Sequence, residues 1–293
     1  MAVGIILGVL LFLCGVAAVI WKPWEPQEPG SGSMALGSEP GSAESETGSR
    51  LPTESMHAPV SELPGSGSDP SSETSPPVLT SSGSAVTKPR PDGDVVVKES
   101  PAVDTQYFDD ALFIGNSRTQ GLELYGGLRT ATFYASKGLT VKTAATKAAI
   151  DIDGEKYTVV DAVKKGSFGK VYIMLGLNEL GWNSTQTFVR DYEALIDAVR
   201  AAQPDAAVYV QSILPVTQTK SDEGSYVNNE RIDEFNALLL DMCERKQVYY
   251  VDVAAGVCDA AGVLPEDAAT DGVHLKPAYV KQWVEYLKTH AVQ

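Results

Sequence analysis

A serine, an aspartate and a histidine in this chain have the types and the sequence context for nucleophilic catalysis. Ser117 ends the segment Leu-Phe-Ile-Gly-Asn-Ser at 112–117, in which an apolar run stops abruptly at small polar residues. A serine hydroxyl becomes a nucleophile when an imidazole accepts its proton and a carboxylate orients that imidazole. Asp271 and His274 are close enough in sequence for a short turn to join their side chains. The three residues indicate acyl-transfer chemistry at Ser117.

His274 is the candidate base because the other two histidines stand in unsuitable places. His57 lies in a tract rich in Ser, Gly and Pro, and His290 lies in the last residues of the chain. Acyl transfer also needs donors for the oxyanion of the tetrahedral intermediate. The backbone amide of Gly138 and the carboxamide of Asn178 can both donate N–H groups. Each residue follows an apolar run that predicts a strand, so both are expected at the same edge of the sheet as Ser117.

These residues must be positioned by the elements that precede them. Short apolar runs alternate with segments of helical periodicity, which predicts an α/β fold with a parallel sheet covered on both faces. The helical segments are 185–202, 228–246 and 277–290. The predicted strands are 111–116, 130–135, 170–175, 207–213 and 248–253. Ligands of such sheets bind beyond the carboxyl ends of the strands, where the candidate residues fall.

In their order along the chain, the Ser, Gly, Asn and Asp-x-x-His segments resemble the motifs of the SGNH (GDSL) hydrolase superfamily. The resemblance covers about 107–293 and implies a flavodoxin-like three-layer α/β/α sandwich. We expect the site to use no metal and no cofactor. It implies Ser117 as nucleophile, His274 as general base and Asp271 as the residue that orients His274.

The same resemblance implies an oxyanion hole formed by the Ser117 amide, the Gly138 amide and the Asn178 side chain. One departure is visible, because the family's Gly-Asp-Ser is Gly-Asn-Ser here. Asn116 keeps the shape of the aspartate and loses its charge. This leaves the triad intact and puts only the local support of the serine turn in doubt.

The N-terminal segment 1–21 predicts a transmembrane signal-anchor helix. Residues 2–21 contain no charged residue and no proline, and about 20 helical residues span the hydrocarbon core of a bilayer. Trp21, Lys22 and Trp24 fall where an interfacial anchor belongs. The alternatives are a cleaved signal peptide, which usually has a basic start and a shorter apolar stretch, and a buried core helix, which would need globular sequence beside it.

Residues 22–106 are rich in Ser, Gly, Pro and Glu and predict a disordered, extended spacer. Their 13 acidic and 5 basic residues carry about half of the chain's net charge of −15. Lys22 alone favours a cytoplasmic body under the positive-inside rule. The long polar tract favours a stalk on the outer face, so we expect an extracytoplasmic domain at 107–293, tethered to the cell membrane.

Several other classes of function lack their signals. The domain has no basic stripe for nucleic-acid binding, and no Cys/His cluster has metal-site spacing. Asp151-Ile-Asp-Gly-Glu155 resembles the start of a calcium loop, but Asp-Gly before Lys-Tyr-Thr-Val-Val is more typical of a hairpin turn. Pairing of Cys243 with Cys258 stays open.

Three other side chains have two interpretations each. Arg118 could contact an anionic substrate or pair with an acidic neighbour. Trp182 and Trp283 could form a sugar platform, although packing is the more usual role of tryptophan.

The sequence thus predicts a membrane-tethered serine esterase that hydrolyses O-acyl, for example acetyl, ester bonds of a small-molecule, glycan or lipid substrate in the cell envelope. An O-acyltransferase that passes the acyl group to an envelope polysaccharide would use the same triad. A non-catalytic binding module of the same fold is the third alternative.

Overall fold

The structure, a computed structural model, describes residues 91–293. The predicted membrane helix at 1–21 and the predicted spacer before residue 91 lie outside the described residues. Among residues 91–293, no helix is both long enough and apolar enough to cross a bilayer.

Seven strands lie in the described part of the chain, and five of them form one parallel sheet. The strands are β1 (Ala111–Gly115), β2 (Thr132–Ala135), β3 (Ile150–Ile152), β4 (Glu155–Tyr157), β5 (Lys170–Met174), β6 (Ala207–Gln211) and β7 (Tyr249–Val251). The order in the parallel sheet is β2-β1-β5-β6-β7, while β3 and β4 form a separate antiparallel hairpin. All five predicted strands are present, and each is shorter than predicted.

Helices cover both faces of the sheet. The helices are α1 (Ser117–Tyr125), α2 (Val141–Thr146), α3 (Val159–Val163), α4 (Thr185–Ala202), α5 (Gln218–Ser221), α6 (Asn229–Lys246) and α7 (Pro277–Thr289). One core cluster packs α2, α3, α4 and α6 against one face, and a second packs α1 and α7 against the other. The predicted three-layer α/β/α sandwich is therefore confirmed. Short 3₁₀ turns occupy Thr105–Phe108, Leu177–Glu179 and Val253–Gly256.

A row of aromatic rings crosses all five strands on the face that α1 and α7 cover. Neighbouring rings in the row are register partners, and their centroids lie 4.4 to 5.1 Å apart in stacked pairs. Such cross-strand pairs stabilise one register of a sheet. The row thereby keeps the carboxyl ends of the strands aligned. In sheet order it consists of Phe133, Phe113, Tyr172, Tyr209 and Tyr249.

The folded unit begins before the predicted boundary at Tyr107. The backbones of Val95 and Val97 bond to both sides of Tyr250, through N···O distances of 2.8 and 2.9 Å. The Val103 amide donates to the Lys288 carbonyl at 2.9 Å. Both Val95 and Val97 are buried, so this part of the predicted spacer belongs to the domain's packing.

Candidate active site

The turn between β1 and α1 places Ser117 at the first position of a helix. The turn requires glycine at position 115, because a Cβ on residue 115 would lie 2.0 Å from Thr119 Oγ1 and 2.8 Å from the Met174 carbonyl oxygen. Asn116 caps the helix, since its Oδ1 accepts the Arg118 amide at 3.0 Å. The neutral Asn116 thus supports the serine turn without the family's usual charge. Within residues 91–293 no group accepts the Ser117 amide, as is usual for the first amides of a helix.

A continuous hydrogen-bonded path joins the three candidate triad residues. Ser117 Oγ lies 2.9 Å from His274 Nε2, and His274 Nδ1 lies 2.6 Å from Asp271 Oδ2. The second carboxylate oxygen, Asp271 Oδ1, accepts the backbone amides of Val273 at 3.0 Å and His274 at 2.8 Å. The structure therefore brings together side chains that are 157 residues apart in sequence.

The charge state of Asp271 follows from these contacts. Partial burial disfavours its charged form, but the His274 side chain and the amides of His274 and Val273 outweigh it and hold the pKa of Asp271 well below its usual range. An ionised Asp271 accepts the Nδ1 proton of His274, which leaves the Nε2 lone pair facing Ser117 Oγ. This is the tautomer that a general base requires.

The loop that carries Asp271 and His274 has one position that only glycine fits well. Gly272 has φ +73°, and a Cβ there would lie 2.6 Å from Lys220 Cβ. Its carbonyl accepts the Thr217 amide at 3.0 Å, which ties the loop to the segment after β6. The side chains of Asp271 and His274 are 36% and 29% exposed, so a substrate can reach them from solvent.

Both predicted oxyanion donors outside α1 lie in loops that contact each other. Gly138 has φ +74° in a turn closed by the Leu139 amide and the Ser136 carbonyl, which are 3.0 Å apart. Asn178 Nδ2 donates to the Leu139 carbonyl at 2.9 Å and keeps a second N–H for another acceptor. Among residues 91–293, no protein group accepts the Gly138 amide.

Replacing Asn178 by Ala should lower kcat for ester hydrolysis by about 10²- to 10³-fold with little change in KM, as expected for one lost oxyanion donor. Steady-state kinetics with p-nitrophenyl acetate measure the effect. The exposed Asn183, on the loop that follows, provides the control. Equal kcat values for Asn178→Ala and Asn183→Ala would contradict a role in stabilising the oxyanion.

Glu179 is a residue of this region that the sequence analysis did not assign. It is fully buried, and its two carboxylate oxygens accept the Val141 amide at 2.7 Å and the Gly176 amide at 3.1 Å. Burial raises the pKa of Glu179 to about 7, although its hydrogen bonds from backbone amides oppose the shift. Glu179 thereby links the loop of Gly138 to the loop of Asn178.

The raised pKa of Glu179 predicts a pH-dependent stability difference. The folded protein binds the proton of the Glu179 carboxyl group more tightly than the unfolded chain does. The stabilisation that protonated Glu179 gives the folded state is therefore complete below pH 4.5 and is lost as the pH rises to about 7. Relative to Glu179→Gln, the wild-type free energy of unfolding should fall by about 3 kcal/mol across this window. Denaturant unfolding at several pH values measures it.

The control for that measurement is Glu266→Gln. Glu266 is exposed and also accepts a backbone amide, from Thr219 at 2.9 Å, so Glu266→Gln makes the same carboxylate-to-carboxamide change at the surface. A difference between wild type and Glu179→Gln that stays constant from pH 4.5 to 8 would refute the shifted ionisation.

The structure shows where Arg118 and Trp283 lie. Arg118 is 3% exposed, and its guanidinium donates to three backbone carbonyls rather than to an acidic side chain among residues 91–293. Trp283 is fully buried and donates Nε1–H to Gln211 Oε1 at 2.9 Å, which confirms packing. Trp182 is partly buried against the core.

Two further features of the sequence are the segment that begins at Asp151 and the two cysteines of the domain. Asp151 Oδ1 accepts the Gly154 amide at 2.9 Å in the β3–β4 hairpin, and Oδ2 pairs with Lys156, as expected for a turn. Within residues 91–293 no group of three or more His, Cys, Asp or Glu side chains could hold a metal ion. In the part of the chain that the structure describes, Cys243 and Cys258 are free thiols.

Comparison with known proteins identifies the family. Residues 113–279, more than half of the chain, match the model of the GDSL-like Lipase/Acylhydrolase family. The chain belongs to this family. As a GDSL-like acylhydrolase it is an enzyme of the esterase and lipase type, and the predicted membership of the SGNH (GDSL) hydrolases is confirmed. No curated protein sequence matches the chain.

Several solved structures of other proteins are similar to this GDSL-like acylhydrolase. A candidate platelet activating factor from Streptococcus pneumonia is 25% identical, with a TM-score of 0.50 over 61% of this chain and 82% of its own. A candidate lipolytic protein of the G-D-S-L family from Desulfitobacterium hafniense DCB-2 is 17% identical, with a TM-score of 0.48 over 62% and 98%. A carbohydrate esterase family 3 protein from Talaromyces cellulolyticus is 16% identical, with a TM-score of 0.44 over 61% and 93%.

Proposed function

We propose that this GDSL-like acylhydrolase is a serine esterase that cleaves O-acyl ester bonds with Ser117 as its nucleophile. The observation that carries the proposal is the path of hydrogen bonds from Asp271 through His274 to Ser117 Oγ, with distances of 2.6 and 2.9 Å. The path lies at the carboxyl edge of the sheet and is open to solvent. A non-catalytic module has no need for this arrangement.

Acylation starts when Ser117 Oγ attacks the carbonyl carbon of the ester and its proton moves to His274 Nε2. The carboxylate of Asp271 stabilises the imidazolium that forms. The tetrahedral intermediate collapses as the protonated His274 gives this proton to the leaving alkoxide. The products of this half-reaction are an acylated Ser117 and a free alcohol.

Deacylation repeats these proton transfers with water. His274 Nε2 accepts a proton from a water molecule as the water oxygen attacks the acyl carbon, and the proton then returns to Ser117 Oγ. In both half-reactions the negative oxygen is stabilised by the Ser117 amide, the Gly138 amide and the second N–H of Asn178. The Ser117 amide also belongs to the N-terminus of a nine-residue helix, whose dipole favours a negative charge.

The proposed substrate is an O-acyl ester of a cell-envelope glycan or a lipid. Support comes from the sequence: an apolar segment at 1–21 with anchor residues, followed by a long polar tract, predicts a domain held outside the cytoplasmic membrane. An enzyme tethered in this way meets esters of the envelope. The partly exposed side chains of Asp271 and His274 suit a substrate that is part of a larger molecule.

The decisive experiment supplies p-nitrophenyl acetate as acyl donor, with and without a glycan acceptor, and quantifies free acetate and acetylated glycan. We expect acetate as the main product under both conditions. Dominant acetyl transfer to the glycan would instead establish the acyltransferase alternative. Absence of turnover with acetyl, butyryl and longer p-nitrophenyl esters would overturn the esterase proposal.

The proposed placement has a separate test. Protease added to intact cells should cleave the tract at 22–106 and release the folded domain. Protection of this tract in intact cells, with cleavage after lysis, would place the domain on the cytoplasmic side.

A further inference from the structure

Arg118, the residue after the candidate nucleophile, makes an unusual set of contacts. Its side chain is buried, and three different nitrogens of its guanidinium each donate to a backbone carbonyl. Nε donates to Val273 and Nη2 to Pro215, both at 3.0 Å, while Nη1 donates to Leu214. A rigid guanidinium can serve three acceptors in fixed directions, which a lysine ammonium on its flexible stem does not.

The contacts of Arg118 join two loops of the candidate site to the first turn of α1. Val273 immediately precedes His274, and its own amide donates to Asp271 Oδ1 at 3.0 Å. Leu214 and Pro215 belong to the segment after β6, which also binds the histidine loop where the Thr217 amide meets the Gly272 carbonyl. Arg118 is thus hydrogen-bonded both to the loop that carries His274 and to the segment after β6 that supports that loop.

In the described part of the chain, the Arg118 guanidinium has no carboxylate as a hydrogen-bonded partner. Among residues 91–293, no acidic side chain forms an ion pair with Arg118. Burying a charge without such a partner is costly unless hydrogen bonds compensate for the lost hydration. Burial lowers the pKa of Arg118 to about 10, which leaves it protonated at neutral pH, and the charge of Asp271 opposes this shift. The positive charge in turn favours the carboxylate form of Asp271.

We propose that Arg118 is a positioning residue that holds the Val273 carbonyl against the first turn of α1 and thereby sets the distance between Ser117 Oγ and His274 Nε2. The proposal rests on the proposed function, because it assigns Ser117 and His274 their catalytic roles. Since Ser117 and Arg118 are adjacent, one helical turn carries both the nucleophile and the contact that fixes the base. A displacement of about 1 Å in such a pair costs roughly 10²-fold in rate.

The test compares Arg118→Lys and Arg118→Met with Arg200→Lys in the full-length protein. Arg200 is a matched control, because its guanidinium also donates to two backbone carbonyls, those of Lys246 and Gln247, at the amino edge of the sheet. Steady-state kinetics with p-nitrophenyl acetate separate kcat from KM. The low-field proton NMR resonance of His274 Nδ1–H reports the geometry of its bond to Asp271.

We expect Arg118→Lys to lose about 10- to 100-fold in kcat with KM within about threefold of wild type, and Arg118→Met to lose more. The low-field resonance should shift or broaden in both variants. Arg200→Lys should retain the kcat and the resonance of wild type. If Arg118→Met does not fold, Arg118→Lys, which keeps the charge and most of the volume, decides the question.

An Arg118→Lys variant with wild-type kcat and an unchanged resonance would overturn the positioning role. So would equal losses of kcat in Arg118→Lys and Arg200→Lys, because these would reflect stability alone. Failure of the proposed function is distinguishable, since wild-type protein would then show no Ser117-dependent turnover at all.

Discussion

Replacing Ser117 by Ala should reduce p-nitrophenyl acetate hydrolysis to near background, a loss of about 10⁴- to 10⁶-fold in kcat. The reason is that Ser117 Oγ is the group that His274 Nε2 contacts at 2.9 Å, and alanine leaves the base without a nucleophile to activate. Any residual rate reflects the oxyanion donors, which still bind a carbonyl oxygen. Burst and steady-state measurements on the purified protein give the effect.

The matched control for this variant is Ser167→Ala. Ser167 is an exposed serine just before β5, at the opposite edge of the sheet, so it shares the residue type without the surroundings. It should keep wild-type kcat and KM. Similar activities of wild type and Ser117→Ala would show that another group carries the reaction.

The second large effect is expected when the proposed general base, His274, is replaced. His274→Ala should lose about as much kcat as Ser117→Ala, and the double variant should lose no more than either single variant, because the two side chains act as one unit. This non-additivity follows from the direct bond between Ser117 Oγ and His274 Nε2. Kinetics of the two single variants and the double variant measure it.

His290→Ala provides a histidine control for this cycle. His290 stacks on Tyr286 at the end of α7, with ring centroids 3.7 Å apart, and should be replaceable without loss of kcat. Losses that multiply in the Ser117/His274 double variant would mean that the two residues contribute independently, against the proposed mechanism.

Much of the site could be predicted because its residues follow strands. An apolar run that ends in small polar residues marks a strand end, and parallel strands bring such ends to one edge. That pattern alone predicts Ser117, Gly138 and Asn178 at the same edge. The choice of His274 needs only the exclusion of two histidines in unsuitable segments. The long helices α4 and α6 are predictable because five buried residues in each repeat at helical spacing.

The roles of Arg118 and Glu179 could not be predicted in the same way. Both side chains bind backbone groups, and a backbone amide or carbonyl carries no residue identity that a sequence pattern could reveal. The carbonyls that Arg118 binds are 96 to 155 residues away. The one available signal is a charged residue directly beside a candidate catalytic residue, as Arg118 stands beside Ser117 and Glu179 beside Asn178.

Tertiary packing also explains why the start of the domain, before Tyr107, could not be predicted from the sequence. The segment that contains Val95 and Val97 lies in a polar tract and is too short to predict a strand. Its burial depends on pairing with Tyr250, more than 150 residues later in the chain. The short helices α2, α3 and α5 escape prediction for a related reason, because four to six residues show no period.

The central claim, that Ser117 is a nucleophile activated by His274, is tested most directly by covalent labelling. The protein is treated with a fluorophosphonate, and the site and rate of labelling are followed by peptide mass spectrometry. We predict a single adduct on Ser117 in wild type, an unmodified peptide in Ser117→Ala, and labelling of His274→Ala slower by at least about 10³-fold. An adduct on another residue, or an equal rate in His274→Ala, would contradict the claim.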